Sequence, residues 1–274
     1  MSVSDAGVGM PDAVPAGPVE FRVSSADARQ HLLEIFRLRG DSPVRRVLDD
    51  LRGTSLENPP SVVAAAARAV DLRAEFFGGA QVDRDRPVRV TILLCPGTYR
   101  VVDLNRVLAG SNQTERLRVR GHHDACDASG RRSDAAHDDR PQDTVRQGAA
   151  TSPTPEVRLV PTPDGPRFAS PGVLPASGPV RFVNATAQGG EMLLQRLRPG
   201  VTAERVRQVL EDGRAAGSVF DGPAYGLGGL SAGHQETLGN RSAPGRYVLM
   251  SDAPDIKRGV SQATLGAWRI VHLR

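Results

Sequence analysis

The chain has 274 residues, 24% of them charged, with a net charge of +4 and 39% hydrophobic content. That length accommodates two domains, each able to bury a core. Scattered charge without a Lys/Arg block argues against a nucleic-acid footprint, and only 4% aromatic residues argues against base stacking.

No apolar run reaches membrane-spanning length, so no membrane span is expected. Met1–Ala16 has neither the basic start nor the apolar segment of an export signal. As written, the chain is expected to be cytoplasmic; secretion is the alternative if a segment precedes Met1. Lys257 is the only lysine, which fits a GC-rich bacterial genome better than a special demand for guanidinium. Prolines (21) and glycines (29) predict many turns.

Met1–Pro18 is rich in Gly, Pro and Ala and is expected to be poorly ordered. Val19–Val23 alternates apolar and polar residues, the pattern of a half-buried strand. His31–Leu38 is a second, apolar strand. Ser42-Pro43 opens a helix, with Ser42 as the expected cap and Val44, Val47, Leu48 and Leu51 on one stripe. Asn58-Pro59-Pro60-Ser61 ends it and starts another, alanine-rich over Val62–Leu72 and expected to break at Gly78-Gly79. Val88–Leu94, Tyr99–Val102 and Leu117–Val119 read as strands.

Residues 121–155 carry Asp, Arg, Ser, His and Pro with almost no large apolar side chain. Such a stretch cannot offset its ordering entropy by burial, so it is expected to be a disordered linker across which few contacts pass. Strands resume at Val157–Leu159, Val180–Val183 and Met192–Leu197. Thr202 caps a helix carrying Val206, Val209 and Leu210. Phe220–Ala232 reads as a glycine-rich loop, and Tyr247–Met250 and Trp268–Leu273 as closing strands.

The halves repeat one order of features. Gly17-Pro18-Val19-Glu20-Phe21 answers Gly178-Pro179-Val180-Arg181-Phe182, and Arg37-Leu38-Arg39 answers Arg196-Leu197-Arg198. Val44–Leu48 answers Val206–Leu210, Gly78-Gly79 answers Gly228-Gly229, and Pro96-Gly97-Thr98-Tyr99 answers Pro244-Gly245-Arg246-Tyr247. Two similar sandwiches with helices at equivalent places are therefore expected. Val157–Val160 has only the poor strand former Met1–Asp12 as its counterpart, so a loop or weak strand is expected to cover that edge.

The second half, over 156–274, resembles the cupredoxin-like family, and the first half, 1–120, resembles it more faintly. The resemblance rests on Phe182-Val183-Asn184, Arg196–Thr202, the short helix and Pro244–Leu249. It implies a mainly β protein: two cupredoxin-like Greek-key β-sandwich domains with short inserted helices, joined by the 121–155 linker. Type 1 copper requires two imidazoles and a thiolate, with a weak thioether. The first histidine position falls near Gly189-Gly190-Glu191, the cysteine position on Ser251, the second histidine near Ser261 and the methionine near Ala267. In the first half Asp103 takes the cysteine's place, and Cys95 lies on the wrong side of the Pro-Gly turn. The resemblance thus implies the fold without its copper.

Other groupings are weaker. His122, His123, Asp124, Cys126 and Asp127 form a polar tract with no second spaced pair to close a metal site. His31 is a ligand echo or an ordinary strand residue. Gly226–Ser231 lacks the lysine and the strand-to-helix setting of a phosphate loop. Ser231, His234 and Glu236 lack the elbow and oxyanion donors of a nucleophilic triad. No catalytic, cofactor-binding or metal-binding residue is assigned. The expected role is a non-catalytic binding or structural module with a protein partner or self-association. The alternatives are a copper-handling or electron-transfer protein, or a two-domain enzyme with an interdomain site.

Overall fold

The structure is a computed structural model and describes residues 1–121, 153–211 and 219–274. Nearly all of the expected linker, with its His122–Asp127 tract, lies outside the described residues. The first half contains nine strands: β1 (Ser2–Ser4), β2 (Gly7–Gly9), β3 (Ala13–Pro15), β4 (Gly17–Ser25), β5 (His31–Leu38), β6 (Ala74–Val82), β7 (Val88–Leu94), β8 (Gly97–Asp103) and β9 (Glu115–Arg120). The second half contains β10 (Glu156–Val160), β11 (Arg167–Ala169), β12 (Val173–Leu174), β13 (Ser177–Asn184), β14 (Gly190–Arg196), β15 (Tyr225–Leu230), β16 (Gln235–Arg241), β17 (Gly245–Met250) and β18 (Trp268–Leu273).

Pairing is the same in both halves. β1 runs antiparallel to β2 and parallel to β4, as β10 does to β11 and β13. β5 lies between β6 and β8, as β14 lies between β15 and β17. Helix α1 (Val44–Gly53) follows β5 where α4 (Ala203–Leu210) follows β14. Helix α2 (Pro60–Arg73) has no described counterpart, whereas the short α3 (Leu104–Leu108) sits where a 3-10 turn, Ala263–Leu265, precedes β18.

The halves are joined by more than the chain. β6 pairs antiparallel with β15 and β7 with β16, which makes one ten-stranded and one eight-stranded sheet. Few contacts were expected to cross the linker; instead, both sheets are continuous. Each joining pair brings a strand against its own counterpart. By ladder register Ala80 is equivalent to Leu227, and these two are partners; Thr91 is equivalent to Thr237, and these are partners too. An approximate two-fold axis therefore passes between the sheets at these pairs. One core lies between the sheets and draws on both halves, with Phe21, Ile35, Phe77 and Tyr99 beside Phe182, Leu194, Leu227 and Tyr247. Two smaller cores lie outside the larger sheet. One packs Phe36 and Phe76 against Val47, Leu48 and Leu51; the other packs Leu193 and Leu197 against Val206 and Val209.

Several expectations are corrected. The start of the chain is not poorly ordered, because Val3 is buried to 1% exposure and anchors β1 beside β4. β1 is thus the weak strand that covers the edge. The second helix ends at Arg73, and Gly78-Gly79 lie inside β6 rather than breaking a helix. Nor is that pair the counterpart of Gly228-Gly229: register makes Gly79 equivalent to Gly226. A Cβ on Gly79 would overlap the carbonyl oxygen of Leu33, and one on Gly226 would overlap that of Met192, the residue equivalent to Leu33. The presumed loop Phe220–Ala232 contains β15, and β16 was not foreseen. Ser42 does not cap α1; Pro43 holds that position without a side-chain cap bond. Thr202 does cap α4, accepting the Arg205 N–H through its side chain at 3.2 Å.

Candidate functional site

A cavity of about 90 Å³ opens where the halves meet. Its walls are apolar, with Val70 and Phe76 from the first half and Leu230 and Ile256 from the second, and Glu34, Asp71 and Glu191 line it. Among the described residues, none lining it is basic.

Glu34 lies on β5, a strand buried on both faces because the helices cover one side and the second sheet the other. Both of its carboxyl oxygens accept from Gly229 N–H at 2.9 Å. Such an approach suits glycine: a Cβ on Gly228 would come within 2.9 Å of Glu34 Oε2. Burial pushes the Glu34 carboxyl well above the usual range, the Glu191 charge adds to this, and the Gly229 bond opposes it. Glu191, on β14, is pushed up to about 8 by burial and then by the charge of Asp252. Asp71, on α2, is pushed up to about 6 by burial against the opposing pull of Arg39. Glu236, on β16, lies on the other side of the junction, with Gly79 N–H donating to Oε2 at 3.3 Å. It is pushed well up by burial and then by Glu34. Four acids with raised pKa thus cluster around the axis.

Ser231, His234 and Glu236 do not form a triad. Ser231 Oγ accepts from Phe76 N–H at 2.8 Å. His234 Nε2 lies 3.0 Å from Glu75 Oε1, and Arg37 holds the other Glu75 oxygen at 2.7 Å. Burial would raise Glu75, but the bonds from His234 and Arg37 outweigh it and hold the carboxyl at about 2. Gly226–Ser231 contributes β15 and one wall of the cavity rather than a phosphate loop. Cys95 is buried, and no cysteine among the described residues is free.

The positions corresponding to a type 1 copper set do not fit that metal. In the second half Ser251 Oγ donates to Gln262 Oε1 at 2.9 Å and accepts from Glu191 N–H at 3.1 Å, and Gln262 Nε2 donates to Gly189 O at 2.7 Å. Hydroxyl and amide partners satisfy one another there, and Ala267 is fully buried. In the first half His31 Nδ1 lies 2.7 Å from Asp103 Oδ2, so imidazole and carboxylate hold each other. Neither half offers a thiolate at the position the chemistry requires.

No family model and no curated protein matches the chain. Among solved structures, auracyanin B matches 45% of this chain and 93% of its own, at 21% identity and a TM-score of 0.27. A multicopper oxidase from Aquifex aeolicus matches 96% of this chain and 56% of its own, at 10% identity and a TM-score of 0.26. A copper-containing nitrite reductase from Thermus scotoductus matches 96% and 59%, at 15% identity and a TM-score of 0.24. This chain spans little more than half the length of those two enzymes. The fold itself is mainly β, two sheets with few short helices. Among the described residues, no helix is long and apolar enough to cross a membrane.

The acids at the junction escaped sequence reasoning. Glu34 is a lone carboxylate in the apolar run His31–Leu38, which is a legible signal. Glu191 and Glu236 stand in glycine-rich and polar contexts, where nothing marks them as buried.

Proposed function

We propose that the chain is a non-catalytic binding module whose junction cavity takes a small organic cation on an apolar stem. The observation that carries this reading is the convergence of Glu34, Asp71 and Glu191 in one apolar cavity whose described lining holds no basic residue. Burying a carboxylate without a counter-charge is costly, so Glu34 and Glu191 hold protons at pH 7, while Asp71, which burial and the opposing pull of Arg39 leave at about 6, is largely ionised there. A bound ammonium group supplies the missing charge, and its apolar stem meets Val70, Phe76 and Leu230. The cavity has room for the tip of such a ligand.

The reading is tested by calorimetric titration of the full chain with n-butylammonium and with n-butanol at pH 7. The cation is expected to bind and to release protons, visible as an enthalpy that depends on buffer ionisation. The alcohol is expected not to bind. Glu191→Gln should weaken the cation about tenfold, a change of about 1.4 kcal/mol. Equal binding of the alcohol, or no binding of the cation, overturns it. The enzyme alternative draws on Asp71 and Glu191, whose values near 6 and 8 would suit acid and base roles. Chemical turnover of a bound amine, abolished by Asp71→Asn, would favour it.

A further inference from the structure

Where β5 begins, the β1–β2 turn, the β4–β5 loop and the end of β8 converge on His31. The imidazole is fully buried at the start of β5. Its Nδ1 faces Asp103 Oδ2 at 2.7 Å, and Asp103 Oδ1 accepts from Leu32 N–H at 3.3 Å, so the carboxylate is tied to β5 at two points. The other ring nitrogen, Nε2, is buried without a hydrogen-bond partner. It points at Asp27 in the β4–β5 loop, whose Oδ2 lies 3.3 Å away. Asp5, in the β1–β2 turn, donates its N–H to that same Asp27 oxygen at 2.6 Å. One ligand atom from each of Asp5, Asp27 and His31 falls within 4.8 Å of the others.

We propose that His31 Nε2, Asp27 and Asp5 form a site for a divalent transition-metal ion, best fitted by zinc, with Asp103 as the positioning residue for the imidazole. A carboxylate accepting Nδ1–H leaves Nε2 as the lone-pair nitrogen, the arrangement that orients and strengthens a ligating histidine. Ligands on a tetrahedral zinc with bonds of about 2.0–2.1 Å lie roughly 3.3 Å apart, which is the His31–Asp27 spacing. Asp5 is half exposed, and an ion would take its carboxylate from Arg29, whose Nε lies 3.4 Å from Oδ1. One imidazole with two carboxylates suits zinc and excludes the soft thiolate metals. Among the described residues the second half has no equivalent, because register places Gly190 where His31 stands.

The test is calorimetric titration of the chelator-treated full chain with Zn²⁺, alongside NMR of the histidine ring nitrogens. One ion should bind, shifting His31 Nε2 from an unprotonated signal in the metal-free protein. Asp103→Asn should weaken binding about 10- to 100-fold, and Asp27→Asn, at a more exposed position, should weaken it further while the circular dichroism spectrum stays unchanged. His122→Ala with His123→Ala should leave this event intact. A proton on Nε2 that Zn²⁺ does not displace overturns the proposal. So does a binding event that survives Asp27→Asn and disappears with the His122/His123 pair.

Discussion

Glu191 holds its proton more tightly in the folded chain than in the unfolded one, at about 8 against an ordinary 4.5. A raised carboxyl stabilises the fold fully below its unfolded value, and that stability is lost as pH rises through the folded value. Asp71, Glu34 and Glu236 act with the same sign. The urea midpoint is therefore expected to fall between pH 4.5 and 8, and Glu191→Gln should flatten the slope. A midpoint that climbs across that window would sink this account. Glu75 works in the opposite sense and in a different window: its contribution is present above 4.5 and disappears as pH falls through about 2.

Helix α4 shows what a single cap contributes. Thr202 accepts from Arg205 N–H, and Glu204 stands in the first turn, where the helix dipole favours it. Thr202→Ala is expected to cost about 1 kcal/mol, whereas Ser42→Ala before α1 should change stability by less than about 0.5 kcal/mol. Chemical denaturation of both variants checks the contrast. Elements differ in the same way in how far they can be read from sequence. β4 and β7 alternate apolar and polar residues on their two faces, and α1 carries one apolar stripe, so period alone finds them. β6 and β15 carry glycines where another strand's backbone comes too close for a Cβ, and glycine in sequence suggests a turn. β16 turns Glu236, Leu238 and Asn240 inward, so its alternation is hidden by polar side chains on the buried face. Among the junction acids Glu34 is marked by the apolar run around it, whereas the burial of Glu191 and Glu236 comes from the meeting of the two halves, which no local window contains.

At the scale of the whole molecule, both sheets run through the junction by pairing each strand with its own counterpart. Residues 156–274 expressed alone would expose the edges of β15 and β16, each shaped to receive a strand like itself. Light scattering should find a dimer rather than a monomer; a stable monomer would show that the ladders across the junction contribute little. The near-symmetry also bears on what the junction is able to hold. Two identical chains paired in this way would be obliged to present every side chain twice, one on each side of the axis. A single chain carrying both halves has no such obligation. Register sets Leu193 opposite the place of Glu34, and Val90 opposite that of Glu236. Glu34 and Glu236 consequently have no acidic twin across the axis, and each stands at the junction once where a symmetric pair of chains would carry it twice.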